Sequence, residues 1–191
     1  MTPEDYQFRW NRNGKTIFPV NPEKLSLFSF KPETIRFLKI GLPKSAAPFL
    51  SFNQNIGSIG QTFLLDEIQP FCAVIGSDGA GNPIVINVSE GDIVEWLDHE
   101  NNFESSYFNS SIESMLEFLL VYREFLETML AENGEDAAMN SIFTDSQFKD
   151  MKQKMLFVDA KALFEAGFWK EELESLIAER TYYANGGSDQ S

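Results

Sequence analysis

Residues 72–96 read CAVIGSDGAGNPIVINVSEGDIVEW. Three runs rich in β-branched residues, CAVIGS, NPIVINV and DIVEW, are separated by clusters of glycine, asparagine, serine and aspartate at the short spacing of meander turns. The stretch predicts consecutive antiparallel strands, and the fold class follows from it. Its glycines raise a rival reading as a phosphate or ion cradle. Gly76 and Gly81 stand five apart, as in a P-loop, but Asn82 and Pro83 occupy the places of the phosphate-binding lysine and the magnesium-binding Ser or Thr. A dinucleotide fingerprint fails because Ile84 stands where the third glycine belongs, and a strand follows instead of a helix. A calcium loop opening at Asp78 would place Pro83 at its bend and Ser89 at its closing glutamate. Turn chemistry accounts for every residue, because Ser-Asp-Gly, Ala-Gly-Asn and Ser-Glu-Gly all supply turn conformations.

Outward from this stretch, TFLLDEI (62–68) and SSYFN (105–109) read as further strands. Tyr6, Phe8 and Trp10 alternate with polar residues ahead of Asn13-Gly14, which predicts an N-terminal hairpin over 5–20 with Pro19 on its edge strand. KPETIRFLKIGLP predicts a short helix opened by Pro32 and stopped by Gly41 and Pro43. The second half turns helical. Ser110 and Glu113 read as a capping box for a helix to about Glu132, with apolar residues at i, i+3, i+4 spacing and Gly134 as its stop. After the polar loop NGEDAAMNS, Thr144 with Gln147 opens a helix to about Phe157, and a last helical stretch to Arg180 breaks at Gly167. The reading is α+β: a mainly antiparallel central sheet with helices packed on it, one domain over 1–184, and a disordered tail at 185–191.

Fifteen Lys and Arg against 29 Asp and Glu give a formal net charge of -14. Such a field repels nucleic acid and anionic membrane surfaces and favours a basic protein partner. Cys72 is the only cysteine and His99 the only histidine, so a disulfide framework, a cysteine cluster and a two-histidine metal site are excluded. No cofactor motif is present. The N-terminus lacks a signal-peptide pattern, which with the lone cysteine predicts a cytoplasmic protein. A small hydrolase would have to join Cys72 as nucleophile to His99 as base. An inert core cysteine flanked by Phe71, Ala73 and Val74 is the competing assignment.

FLKIGLP near the front, the stretch from Cys72 to Trp96, YFNSSIESMLEFLLVY and FVDAKALFEAGFWKEELE occur in the order seen in a known family. Over about Ile35 to Glu174 the chain resembles the SUKH superfamily, the Smi/Knr-like bacterial immunity proteins. It is most similar to the branch with a Gly-Leu-Pro motif and an Asn-Ser-Ser helix start. The resemblance implies an α+β fold without shared catalytic residues. It also implies a non-enzymatic protein that binds a toxin domain of the nuclease or nucleic-acid deaminase class, encoded nearby, and neutralises it by occlusion. A regulatory scaffold of the kind similar proteins form in fungal cell-wall control is the alternative. Acidic and aromatic residues at strand ends and turns are the expected partner contacts: Asp78, Glu90, Asp92, Glu95, Trp96 and Asp98.

Overall fold

The computed structural model describes residues 1–63, 70–135 and 140–185. Its centre is a six-stranded antiparallel sheet in the order β3-β4-β5-β6-β7-β8. The strands are β3 (Ser45–Ala46), β4 (Leu50–Ser58), β5 (Cys72–Ser77), β6 (Pro83–Asn87), β7 (Ile93–Asp98) and β8 (Glu104–Asn109). Every neighbour in space is a neighbour in sequence, with short turns between β5, β6 and β7, as the opening stretch predicts, and residues 59–71 between β4 and β5. Separately, β1 (Ile17–Phe18) pairs with β2 (Leu42–Pro43).

Period-2 alternation gives the sheet two unlike faces. Ala73, Ile75, Ile84, Ile86, Val94 and Phe108 point into the main core, whereas Cys72, Val74, Val85 and Leu97 meet Ile59 and Phe103 in a smaller cluster on the other side. Helix α5 (Ile112–Asn133) lies in the main core, with ten apolar residues from Ile112 to Met129 buried. It is enclosed on its other sides by α1 (Pro3–Trp10), α3 (Pro32–Ile40) and α6 (Asp145–Asp159). The remaining helices are α2 (Pro22–Leu25), α4 (Ile59–Phe63), α7 (Lys161–Phe164) and α8 (Phe168–Ala184).

The expected hairpin over 5–20 is corrected. Residues 3–10 are helical: Thr2 accepts the Asp5 N–H, Pro3 opens the first turn, and Glu4 and Asp5 complement the helix dipole. The aromatic pattern is i, i+4 and not alternating, since Tyr6 and Trp10 are buried while Phe8 is exposed. Arg123 fixes this helix on α5: its guanidinium donates to the Arg9 and Trp10 carbonyls at 2.7 and 2.9 Å and lies 4.8 Å from the Trp10 ring centre. A cation there satisfies carbonyls that a helix C-terminus leaves open.

The expected strand over 62–68 is corrected where it is described: Thr62 and Phe63 end α4, and residues 64–69 lie outside the described residues. A capping box explains the helix, with Ser58 Oγ accepting the Gln61 N–H and Gln61 Oε1 accepting the Ser58 N–H. Strand β4 was not expected. Its polar Asn53-Gln54-Asn55 sits in a bulge between the pairs Phe52–Gly76 and Gly57–Val74, which breaks the alternation that a sequence reading needs.

The capping box of α5 moves by one residue. Ser111, not Ser110, is the N-cap and exchanges bonds with Ser114, because the Ser110 N–H donates to Asp159 at 2.7 Å and Glu113 takes the Met1 amine. The helix stops as expected at Gly134, with φ 88°. Thr144 and Gln147 form the predicted capping box, and Gly167 separates α7 from α8 at φ 153°. Residues 136–139 of the polar loop and 186–191 of the tail lie outside the described residues.

Candidate partner-binding site

The first turn of the opening stretch carries its own anion. Asp78 Oδ1 accepts the backbone N–H groups of Ala80 and Asn82 at 2.9 and 2.8 Å, so the donors that would hold a phosphate are already used. Asp78 Oδ2 accepts from Asn82 Nδ2 at 3.0 Å and from the Trp96 indole at 2.8 Å. Partial burial alone would raise the Asp78 pKa, but the hydrogen bonds from Asn82, Trp96 and Ala80 outweigh it and hold the carboxyl below its ordinary 3.8. A group with a depressed folded pKa stabilises above its unfolded pKa and loses that contribution as pH falls through the folded value. Asp78→Ala is therefore expected to lower stability by about 1–3 kcal/mol at pH 7, since it orphans several donors. In denaturant titrations across pH, the gap between variant and parent should close below pH 3.8, the ordinary value. A gap that stays constant down to pH 2 would contradict this role.

The second turn is held differently. Asn87 Oδ1 accepts from the Ser89 backbone at 3.1 Å, and Gly91 and Asp92 both take positive φ. Asp92 is 2 % exposed, and its Oδ2 accepts the Lys31 N–H at 2.6 Å while Lys31 Nζ donates to the Gly91 carbonyl. Its carboxylate thus anchors the start of α3 to the turn.

The antiparallel register sorts the expected contact residues into a group at each end of the sheet and one residue on its face. One end of the sheet gathers Asp78, Trp96 and Asp98, together with the exposed His99 and Glu100. Glu90 and Asp92 lie at the opposite end. Glu95 stands on the sheet face away from α5, bonded by Asn87 Nδ2 at 2.9 Å. Trp96 is half-buried against the main core with its N–H engaged, and Asp98 Oδ1 accepts the Glu100 N–H at 3.0 Å. The six residues are not one cluster.

The cysteine–histidine pair does not form. Cys72 is opposite Asn87 and, one strand on, Ile93, whereas His99 follows the far end of β7. At ~3.3 Å per residue, His99 lies roughly 20 Å along the strand from Ile93. Its Nδ1 shares a hydrogen bond with Asn82 Oδ1 at 2.7 Å. Burial, with a contribution from Glu95, pushes the Cys72 thiol up to about 12. Iodoacetamide at pH 8 should label Cys72 in the native protein at least ~10³-fold more slowly than free cysteine, with full labelling after denaturation. Rapid native labelling would show an accessible thiolate.

A larger feature escaped the residue-by-residue reading. No Lys or Arg occurs between Lys44 and Arg123, while eleven of the 29 acids fall there. That span accounts for -11 of the net charge of -14. Every side-chain ion pair among the described residues has its acid on or beside a helix, and Asp78, Glu90, Glu95, Asp98, Glu100 and Glu104 belong to none. A running charge sum along the chain would have found it. Among the described residues, no group of three or more His, Cys, Asp and Glu is placed to hold a metal ion, and no helix is long and apolar enough to cross a membrane.

A protein-family model described as SUKH-4 immunity protein matches residues 13–175. The match takes in residues 13–34, which the resemblance drawn from the sequence left outside. No curated protein and no solved structure matches the chain.

Proposed function

Because the chain belongs to the SUKH-4 immunity protein family, we propose that it neutralises one cognate bacterial toxin by covering the toxin's active surface, acting by contact and not by catalysis. The family match carries this reading. The concentration of acids between residues 45 and 122, a span without Lys or Arg, supports a basic partner, such as a nuclease or nucleic-acid deaminase domain encoded nearby. An enzyme that handles polyanionic substrates presents a cationic cleft, and an acidic sheet both speeds encounter and competes for that cleft. Glu90, Glu95, Trp96 and Asp98 are the contact residues of this proposal, with Asp78 and Asp92 holding the turns that present them. The cytoplasm of the producing cell is the compartment where the complex would act.

The test is a pull-down from the native cell, with the recovered partner identified and its toxicity assayed with and without this protein. Recovery of a toxic enzyme whose activity falls stoichiometrically is the expected result. A partner without toxicity would replace this reading with that of a regulatory scaffold. Association should also slow more than tenfold between about 50 and 500 mM salt, as the Debye length shrinks from roughly 14 to 4 Å. Charge reversal at Glu90, Glu95 and Asp98 together should have a similar effect. Salt-insensitive association would remove the electrostatic part of the proposal.

A further inference from the structure

On the sheet face away from α5, a cavity of about 170 Å³ is lined by Phe71, Cys72, Asn87, Ser89, Glu95 and Ser105. This is well below the roughly 300–1,000 Å³ of a small-molecule site. Its size suits one long side chain. Glu95 is half-buried there, and it is in none of the ion pairs of the described residues. Its Oε2 accepts from Asn87 at 2.9 Å and Ser105 also bonds the carboxylate, whose two oxygens offer about four acceptor sites and so keep capacity for a ligand. Burial, reinforced by the charge of Glu90 and opposed by hydrogen bonds from Asn87 and Ser105, holds the Glu95 carboxyl above its ordinary range. A cation brought to this carboxylate would relieve that unfavourable placement.

Phe71 is 59 % exposed at the rim although it is a large aromatic residue. Its backbone is fixed, since its carbonyl accepts the Val88 N–H at 3.0 Å. Cys72 presents apolar surface for a methylene stem. Carboxylate, aromatic face and apolar floor are the three elements that recognise a guanidinium group: it bonds a carboxylate, stacks on a ring and is weakly hydrated. An ammonium matches the charge alone.

We propose that the cavity between Glu95 and Phe71 receives a single arginine side chain of a basic protein partner. The inference rests on the reading of the chain as an immunity protein for the identity of that partner, and on the cavity alone for its chemistry. Charge complementarity commits the occupant: neither the surrounding strands nor any residue from 45 to 122 supplies a Lys or Arg.

The cavity is tested without the toxin by titrating the ¹⁵N-labelled protein with N-acetyl-arginine amide and following amide shifts. Saturable shifts centred on Cys72, Asn87, Ser89, Glu95 and Ser105 are expected. Glu95→Gln should weaken binding at least tenfold, and Phe71→Ala at least threefold, while spectra elsewhere superimpose on the parent and show both variants folded. Equal response to the neutral N-acetyl-citrulline amide overturns the proposal, as does equal response to N-acetyl-lysine amide or undiminished binding by Glu95→Gln. With the partner from the pull-down, Glu95→Gln should weaken the complex at least tenfold, and an unchanged affinity overturns the assignment of this cavity to the partner's arginine. Failure to recover any toxin instead overturns the immunity reading and leaves the probe titration to decide the cavity by itself.

Discussion

Trp169→Ala is expected to lower the free energy of unfolding by about 3–5 kcal/mol, the range for deleting a large buried aromatic side chain. Trp169 is fully buried, with its ring centre 5.2 Å from those of Phe108, Phe118 and Phe168 and 6.3 Å from that of Tyr122. Those rings come from β8, α5 and α8, so one side chain joins the sheet edge, the central helix and the C-terminal helix. Its indole N–H also donates to the buried Asn109 Oδ1 at 3.0 Å, and Asn109 Nδ2 donates in turn to Asp159 at 3.4 Å. Trp169→Phe should cost less than the alanine change but still about 1–3 kcal/mol, because it leaves the Asn109 oxygen without its donor. Urea titration of both variants gives the comparison. A loss below 1 kcal/mol for Trp169→Ala would mean that the three elements do not meet at this ring.

Gly76→Ala should destabilise the sheet although it adds only one methyl group. A Cβ at Gly76 would lie 2.3 Å from the Ser51 carbonyl oxygen and 2.9 Å from Phe52 Cδ1. The first is backbone of the paired strand, so relief requires β4 and β5 to move apart just where their register shifts. Gly76 has no positive φ, so alanine tests the close approach of the strands and not the backbone conformation. Overpacking of this kind costs about 1–3 kcal/mol and sometimes more, and here the loss of adjacent ladder bonds places the change at the upper end. Gly79→Ala is the control, since its Cβ would come no closer than 3.2 Å to another atom, the Phe49 Cβ, with the Phe49 carbonyl oxygen at 3.6 Å, in an exposed turn. The thermal midpoint should fall clearly in the first variant and little in the second. Equal midpoints would show that the bulge opposite Gly76 is absent.

Strands β5 to β8 were legible because they are short, contiguous and separated by unambiguous turn residues, as between Cys72 and Trp96, whereas β3 and β4 were not. Helix α3 and the helices of the second half were legible from their caps and stops, with Thr144 and Gln147, Gly134 and Gly167 each standing where the chain begins or ends a helix. The N-terminal helix was misread for a physical reason. Tyr6, Phe8 and Trp10 fit a period of two as well as Tyr6 and Trp10 fit a helical turn, and Asn13-Gly14 favoured the wrong choice. Thr2, Pro3, Glu4 and Asp5 carried the correct signal in a first turn that the alternating aromatics overshadowed.

The contact residues were less legible, because a charge in a turn has the same sequence appearance whether it faces solvent or the chain's own donors. Asp78 and Asp92 are acids in glycine-rich turns like Glu90, yet the first holds the Trp96 indole and three donors of its own turn, and the second holds the start of α3. Those bonds depend on partners 18 and 61 residues away. Local composition contains no record of them.

By itself, the sequence determined the α+β class, the antiparallel meander, the turn role of the glycines and the family, since each rests on patterns a few residues long or on the order of motifs along the chain. Only the tertiary structure decided which acids are structural and that Cys72 and His99 are apart. It alone placed Glu95 beside Phe71 at a cavity. Those outcomes depend on strand register and side-chain burial, which arise when distant segments are brought together, and a sequence states neither until the chain has folded.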